Sequence, residues 1–139
     1  SDWVGAEMKG GNITVKGNAG NYAGAGYRGG TPGMKKGTIE IDGDAGDHLG
    51  EFMGSGEITV KGCAGVFPGY SMANGIIRIA KGCTYPGGEM KKGSILVEGD
   101  VELLPTFTEE EAEEFEGEMR RKLAGDVACG GKGSLYLPL

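Results

Sequence analysis

The chain has 139 residues, the length of one domain, and its 38% hydrophobic content is enough for a sizeable core. Its net charge of −6 and lack of a basic face argue against a nucleic-acid partner. No apolar run approaches a membrane span, no signal peptide is recognisable, and the three cysteines are an odd number, so a cytosolic protein is expected.

A glycine-rich phrase recurs along residues 1–103 with a period of about nineteen residues. The first copy, 3–17, lacks its first corner, and the second, 17–43, contains an insertion at 31–37. In the third and fourth copies, 43–62 and 62–79, successive glycines are spaced by three, four and six residues. The fifth copy, 82–99, is abbreviated. Self-similarity at a fixed period indicates stacked repeats, in which glycines form the corners.

Each copy ends in two aliphatic residues separated by one position, which places both on one face of a strand. Stacking would align these residues in two ladders, and two further columns are expected from methionines and aromatic residues. The first ladder is Ile13, Ile39, Ile58, Ile77 and Ile95, and the second is Val15, Ile41, Val60, Ile79 and Val97. The methionine column is Met8, Tyr27, Met53 and Met72, and the aromatic column is Trp3, Tyr22, His48 and Phe67.

These columns predict an all-β fold, a single-stranded parallel β-helix of about five coils. The competing architecture is the left-handed hexapeptide helix, which would imply an acyltransferase. Gly50, Gly56 and Gly62 are six residues apart, as that helix requires. The full period is nineteen rather than eighteen, however, and the aliphatic residues come in pairs, so the parallel β-helix is preferred.

Residues 104–139 differ in composition and are predicted to be a capping segment. Residues 104–116 contain six glutamates after Thr108, a possible N-cap, and predict a helix. Residues 122–128 and 134–137 are expected to form a hairpin that closes one open strand edge. The edge at the N-terminal end is left for a partner or a missing segment to cover.

Two local motifs resemble catalytic or cofactor sites. Gly24-Ala-Gly26-Tyr-Arg-Gly29 matches the dinucleotide fingerprint, but a Pro-Gly turn follows it where the motif requires a helix. Gly69-Tyr-Ser71-Met-Ala73 resembles a serine nucleophile elbow, and His48 is the single histidine available as its base. A small serine esterase or acyl-transfer enzyme using Ser71 therefore stays an alternative to the interpretation of Ser71 as a turn residue.

The remaining candidates have structural explanations that are preferred. His48 fits the aromatic column, and a lone histidine is a poor metal ligand. Cys63 and Cys83 each follow the opening glycine of a copy, which predicts one column with Cα atoms about 5 Å apart. A redox pair or two metal ligands would fit that placement, but two reduced, packed thiols are preferred. Two Met-Lys-Lys-Gly phrases, 34–37 and 90–93, are interpreted as solvated turns.

The repeat resembles the glycine-repeat subunit of formylmethanofuran dehydrogenase. The resemblance lies in the phrases Gly43-x-x-Gly46-x-x-x-Gly50 and Gly62-x-x-Gly65-x-x-x-Gly69, followed by Met-x-x-Gly-x-Ile-x-Val. The tail adds to it through the stretches 103–107 and 125–136, which contain Leu-Leu-Pro-x-Phe and Gly-Gly-Lys-Gly-x-Leu-Tyr. The corresponding subunit of the bacterial formyltransferase/hydrolase complex is similar. The C-terminal domain of the large glutamate synthase subunit shares the glycine repeat and is a further alternative.

This resemblance implies a right-handed parallel β-helix within a multisubunit enzyme that reduces CO2 and fixes it on methanofuran as a formyl group. It implies that the chemistry belongs to partner subunits, one with a molybdenum or tungsten pterin and one with an amidohydrolase-like metal centre. The chain itself would be a scaffold in one-carbon metabolism. No catalytic, cofactor-binding or metal-binding residue is assigned to it, because the matching positions are corner glycines and ladder aliphatics.

Overall fold

The computed structural model describes residues 1–26 and 32–139, and every regular element in these ranges is a strand except one 3₁₀ turn, Val127–Cys129. The first seven strands come from the repeats: β1 (Lys9–Val15), β2 (Lys36–Ile41), β3 (Glu57–Val60), β4 (Ile76–Ile79), β5 (Cys83–Thr84), β6 (Ser94–Val97) and β7 (Val101–Glu102). The last three come from the tail: β8 (Thr108–Phe115), β9 (Glu118–Gly125) and β10 (Gly133–Pro138). No helix in the described ranges is long and apolar enough to cross a membrane.

The main sheet has eight strands in the order β1-β2-β3-β4-β6-β10-β9-β8, and β5 pairs with β7 in a second, two-stranded sheet. Pairing is parallel from β1 to β10, whereas β10–β9 and β9–β8 are antiparallel. The predicted fold class, a single-stranded parallel β-helix, is therefore wrong, because the strands form one mixed sheet. The all-β part of the prediction agrees with the structure.

Both predicted aliphatic ladders are confirmed by the strand register. Ile39 pairs with Ile58, and Ile58 with Ile77, while the second ladder pairs Ile41 with Val60 and Val60 with Ile79 in the same strands. The first ladder continues through Ile95 into Leu135 of β10, so the tail supplies a sixth member from outside the repeats. These side chains form the core. Ile13 and Val15 of β1 are only partly buried, because β1 is an edge strand.

The residues between strands form glycine-rich turns that also hydrogen-bond from repeat to repeat. The amide of Gly50 donates to the carbonyl of Ala23, and that of Gly69 to the carbonyl of Leu49. Most of this part is turn rather than strand, and several non-glycine residues have left-handed backbones, including Tyr22. Stacked left-handed turns cannot extend into sheets on every side of the repeat, which explains why a single large sheet forms.

A methionine column fills the space behind these turns, with one change from its predicted membership. Met34, Met53, Met72 and Met90 are fully buried. Met34, in the second repeat, takes the place predicted for Tyr27, which lies outside the described residues. The insertion therefore returns the chain to register with a methionine of its own.

The predicted helix over residues 104–116 is wrong, since Thr108–Phe115 is the edge strand β8. Glutamates favour helices in isolation, but this run has no apolar stripe to bury, and β9 opposes it with cations. Glu109 forms an ion pair with Arg121 at 2.8 Å and Glu113 with Lys122 at 2.6 Å. Cross-strand pairs of opposite charge stabilise antiparallel sheets, so tertiary context overrides the intrinsic preference.

The predicted hairpin between residues 122–128 and 134–137 is present as the antiparallel pair β9–β10. Its neighbour, the β8–β9 hairpin, turns through Glu116 and Gly117 and folds over the outer face of the sheet. There Arg78 of β4 donates from Nε to both carboxylate oxygens of Glu116, at 2.7 and 2.8 Å. Arg120, which is 5% exposed, donates to Glu98 and Glu118 at 2.7 and 2.8 Å. These ion pairs fasten the tail to the last repeats.

Candidate functional site

The predicted aromatic column is confirmed, and its rings stack along one side of the repeats. The centroids of Trp3 and Tyr22 are 4.3 Å apart with an interplanar angle of 7°, and those of Tyr22 and His48 are 5.1 Å apart at 11°. His48 stacks on Phe67 at 5.9 Å, and Tyr85 continues the column 5.7 Å beyond Phe67. All five rings are partly exposed, so the column forms a continuous aromatic stripe on the surface.

A second column, immediately before the rings, binds successive repeats together through side-chain carbonyl and carboxylate oxygens. Oδ1 of Asp2 accepts a hydrogen bond from the amide of Asn21 at 2.8 Å. Oδ1 of Asn21 accepts in turn from Asp47, and Oδ1 of Asp47 accepts from the amide of Val66 at 2.9 Å. Each short polar side chain therefore satisfies a backbone donor of the next repeat, which fixes the spacing of the aromatic stripe.

The charges around the aromatic column all have the same sign. Five carboxylates, Asp2, Glu7, Asp47, Glu51 and Glu89, occupy the positions immediately before the rings or three and four residues after them. No lysine or arginine occupies any of these positions, all of which lie in the described part of the chain. We call the aromatic column together with these five carboxylates the aromatic–acidic face.

The aromatic–acidic face ends in a cleft of about 510 Å³ where the tail meets the fifth repeat. Phe67, Tyr70 and Leu104 form its apolar walls, and Glu89 lies at its rim. The ring of Tyr70 packs edge-on against Phe67, with centroids 5.5 Å apart. Gly88 leaves room for these rings, because a Cβ there would lie 3.1 Å from Cδ2 of Tyr70 and 3.3 Å from Cδ1 of Phe67.

Tyr70 and Glu89 are joined by a short hydrogen bond from the phenol hydroxyl to Oε2 of the carboxylate. This bond, together with burial and the charge of Glu89, raises the pKa of Tyr70 above its usual value. The phenol therefore stays protonated at neutral pH and acts as a donor, and the charge of Glu89 is retained. The pair holds one carboxylate oxygen in place and leaves Oε1 of Glu89 without a hydrogen-bond partner in the described structure.

Asp126 closes the far side of the cleft and is 3% exposed. Its Oδ2 accepts from the amide of Glu89 at 2.8 Å, and its Oδ1 accepts from the amide of Ala128 at 2.9 Å. Burial acts to raise the pKa of Asp126, but these hydrogen bonds and one from Thr106 lower it below its usual value. Asp126 is thus an ionised bridge between the 3₁₀ turn and the fifth repeat, with both oxygens already occupied.

Ser71 does not meet the requirements of a catalytic serine in this structure. Its backbone is in the left-handed region with φ +54°, and its amide donates to the carbonyl of Gly88 at 2.8 Å, as expected of a turn residue. In the described chain its hydroxyl has no hydrogen bond to a base, and Nδ1 of His48 lies 3.3 Å from Glu51 instead. The nucleophile–base contact of a serine hydrolase is therefore not formed.

The predicted column of Cys63 and Cys83 is wrong by one residue. Cys83 is buried whereas Cys63 is exposed, so the two thiols occupy different columns. The amide of Lys81, rather than of Gly82, donates to Gly62, which places Cys83 level with Ala64. The cause is the spacing, because the cysteines are twenty residues apart in a chain whose repeat is nineteen. Burial and the proximity of Cys63 raise the pKa of Cys83 to about 12, and the described cysteines form no disulfide.

Neither a dinucleotide site nor a metal centre can be recognised in residues 1–26 and 32–139. Gly24 of the fingerprint-like motif belongs to a turn with φ +70°, and a Cβ there would lie 2.7 Å from Cδ1 of Ile58, so packing explains this glycine. Gly29 lies outside the described residues. No group of three or more histidine, cysteine, aspartate or glutamate side chains converges in the described ranges.

Sequence reasoning missed the cleft and the bridge made by Asp126. The cleft depends on contacts between residues 67–89 and the tail, which no repeat pattern reveals. One signal was present: the column of Ala6, Ala25, Glu51 and Tyr70 ends in Gly88, so a side chain is missing directly beside a tyrosine. The continuation of the aromatic column to Tyr85 was also readable, since Tyr85-Pro-Gly87 parallels Phe67-Pro-Gly69.

Comparison with known proteins gave one informative similarity. No protein-family model and no curated protein matches the chain. It is similar to a chain in the crystal structure of the formyltransferase/hydrolase complex from Methylorubrum extorquens in complex with methylofuran, with 30% identity and a TM-score of 0.92. The similarity covers 99% of this chain and 59% of that one, so this chain spans less than two thirds of its relative.

This similarity agrees with the resemblance to the formyltransferase/hydrolase family that the glycine phrases and the tail indicate. It extends over the repeats and the tail alike, since nearly the whole chain is superposed. A relationship to a component of that complex follows. The assignment to its glycine-repeat subunit, and to the dehydrogenase rather than the hydrolase branch, stays a prediction.

Proposed function

We propose that this chain is a non-catalytic scaffold subunit of a multisubunit complex in one-carbon metabolism, of the glycine-repeat type found in formylmethanofuran dehydrogenase. The observation behind this is the similarity over 99% of the chain to a component of a formyltransferase/hydrolase complex. Its partners would be an amidohydrolase-like subunit and, in a dehydrogenase, a subunit that contains the molybdenum or tungsten pterin. The metal chemistry would take place in those partners.

The construction of the chain supports a scaffold role. The repeats are locked to each other by strand pairing, by turn hydrogen bonds and by the polar column that begins at Asp2. A quasi-one-dimensional stack of this kind is rigid and offers a long surface to neighbours. The esterase alternative lacks support because Ser71 has no base. The glutamate synthase-type alternative predicts the same glycine repeat, but the similarity to the formyltransferase/hydrolase component includes the tail as well.

Co-expression tests the proposal. The tagged chain would be produced together with the subunits encoded beside its gene, and the purified material analysed by size-exclusion chromatography and native mass spectrometry. We expect one stoichiometric complex with an amidohydrolase-like subunit. Elution of the chain alone, while its neighbours assemble without it, would contradict the proposal.

A parallel assay addresses the enzyme alternative. Ester hydrolysis by the isolated chain and by Ser71→Ala should not rise above the same background rate. A rate that depends on Ser71 would replace the scaffold proposal with the second hypothesis.

A further inference from the structure

We propose that the aromatic–acidic face is the surface that docks a partner subunit, and that a lysine or arginine side chain of that subunit enters the cleft beside Glu89. This inference rests on the proposed function, since it assumes that the chain has a partner subunit. It adds the location of the interface and the chemistry of the residue that the partner provides.

Charge complementarity favours a basic partner at this face. The five carboxylates of the aromatic–acidic face have no lysine or arginine among them. Two of them, Glu51 and Glu89, flank Tyr70, which is close enough to feel both charges. A surface with one sign of charge attracts partners of the opposite sign and repels anions, so it favours a basic partner surface.

The outer face of the main sheet differs, because its charges are already neutralised within the chain. Arg78 bridges Glu57 and Glu116, with distances of 2.7 Å to Glu57 and 2.7 Å from Nε to Glu116. Lys61 lies 3.2 Å from both Glu40 and Asp42. Charges that are satisfied internally gain little from a partner, whereas Glu89 at the end of the aromatic–acidic face has a carboxylate oxygen available for one.

The chemistry of the cleft suits a long basic side chain. Its aromatic walls, Phe67 and Tyr70, can pack against the methylene stem and the charged head of such a residue. At the rim, Glu89 is exposed and has Oε1 free to accept a charge-assisted hydrogen bond. Asp126 adds a second negative charge from behind, although its oxygens are occupied by backbone amides. The volume of about 510 Å³ is ample for one such side chain.

The test measures binding of the immobilised chain to the purified subunits encoded beside its gene. The central variant is Glu89→Gln, which removes the charge but keeps an oxygen for the hydroxyl of Tyr70. Its matched control is Glu7→Gln, because Glu7 occupies the equivalent position at the opposite end of the aromatic column, with φ +57° against +53° for Glu89. A second control is Glu111→Gln in β8, far along the chain from the face.

We expect Glu89→Gln to weaken binding about tenfold, the effect of losing one partly buried charge pair. Glu51→Gln should weaken it less, Glu111→Gln should change the dissociation constant less than about twofold, and higher ionic strength should weaken the wild-type interaction. Glu7→Gln should leave the contact in the cleft intact and have a smaller effect than Glu89→Gln. Thermal unfolding of each variant would verify that it is folded.

The outcomes separate the two proposals. If the wild-type chain binds none of these subunits, the proposed function fails and the docking surface with it. If the wild-type chain binds but Glu89→Gln and Glu51→Gln bind equally well, the complex exists and the docking surface is elsewhere. If Glu111→Gln weakens binding as much as Glu89→Gln, net charge rather than the cleft is responsible, and the inference is overturned.

Discussion

Substitution of Gly75 by alanine tests how tightly consecutive repeats are packed. Gly75 has φ +108°, and a Cβ there would lie 2.9 Å from the carbonyl oxygen of Gly56 and 2.8 Å from Cε of Met53. The methionine can move its terminal methyl group, but the carbonyl belongs to the backbone of the preceding repeat. The same arrangement recurs at Gly93, where Met72 and the carbonyl of Gly75 are the neighbours.

Three effects determine the magnitude. A left-handed backbone costs an alanine roughly 1–2 kcal/mol, and overpacking a filled interior costs roughly 1–3 kcal/mol. Reduced freedom of the unfolded chain returns roughly 0.4–1 kcal/mol. The expected net loss for Gly75→Ala is therefore about 1.5–4 kcal/mol. For a domain of this length, each kcal/mol lowers the midpoint of thermal unfolding by about 3–5 °C.

The matched control is Gly117→Ala in the turn of the β8–β9 hairpin. Gly117 also has positive φ, +88°, but nothing lies within 4 Å of its added Cβ, so this variant reports the backbone effect alone. Urea and thermal unfolding of both variants, followed by circular dichroism, should show Gly75→Ala less stable than Gly117→Ala by about 1–3 kcal/mol. Equal losses of stability in the two variants would refute the close approach of successive repeats.

Three other measurements examine single contacts. Asp126→Asn should lower the free energy of unfolding at pH 7 by about 1–3 kcal/mol, because one of two backbone amides then faces an amide group. Since the pKa of Asp126 is lowered on folding, the wild-type advantage should be full above about pH 4 and disappear as the pH falls through the folded-state pKa; an advantage unchanged at about pH 2 would contradict this. A double-mutant cycle on Arg78 and Glu116 should give a coupling of about 0.5–1 kcal/mol that salt weakens, and a zero coupling would show that the hairpin tip is not anchored there. Cys63 should react with a thiol reagent in the native protein and Cys83 only after unfolding, as followed by mass spectrometry of labelled peptides; equal rates would contradict the burial of Cys83.

The repeat frame was predictable because it depends on short-range spacing. Ile39, Ile58 and Ile77 are nineteen residues apart, and parallel pairing at that separation requires only that the same turn recur. The error at Cys83 has the same origin, because alignment by the nearest glycine ignored a shift of one residue. Side-chain alternation in strands makes such a shift exchange inside and outside, which is the observed difference between Cys63 and Cys83.

The architecture of the tail could not be predicted, because its strands are selected by distant partners. The glutamates of β8 become a strand when Arg121 and Lys122 lie opposite them, and β10 becomes the sixth parallel strand by pairing with β6. The cleft likewise needs Asp126 to cross to the amide of Glu89, 37 residues away in the chain. Contacts at such separations leave no periodic trace in a single sequence.

The tail fastens itself to the chain through the last two repeats, by β6, by the amide of Glu89 and by Arg78 of β4. Interior repeats touch their immediate neighbours alone, through identical registers. Duplication or loss of one interior unit would therefore preserve both ends and alter only the height of the molecule. Such a protein can act as an adjustable spacer, in which evolution sets the distance between two flanking components by counting units rather than by redesigning contacts.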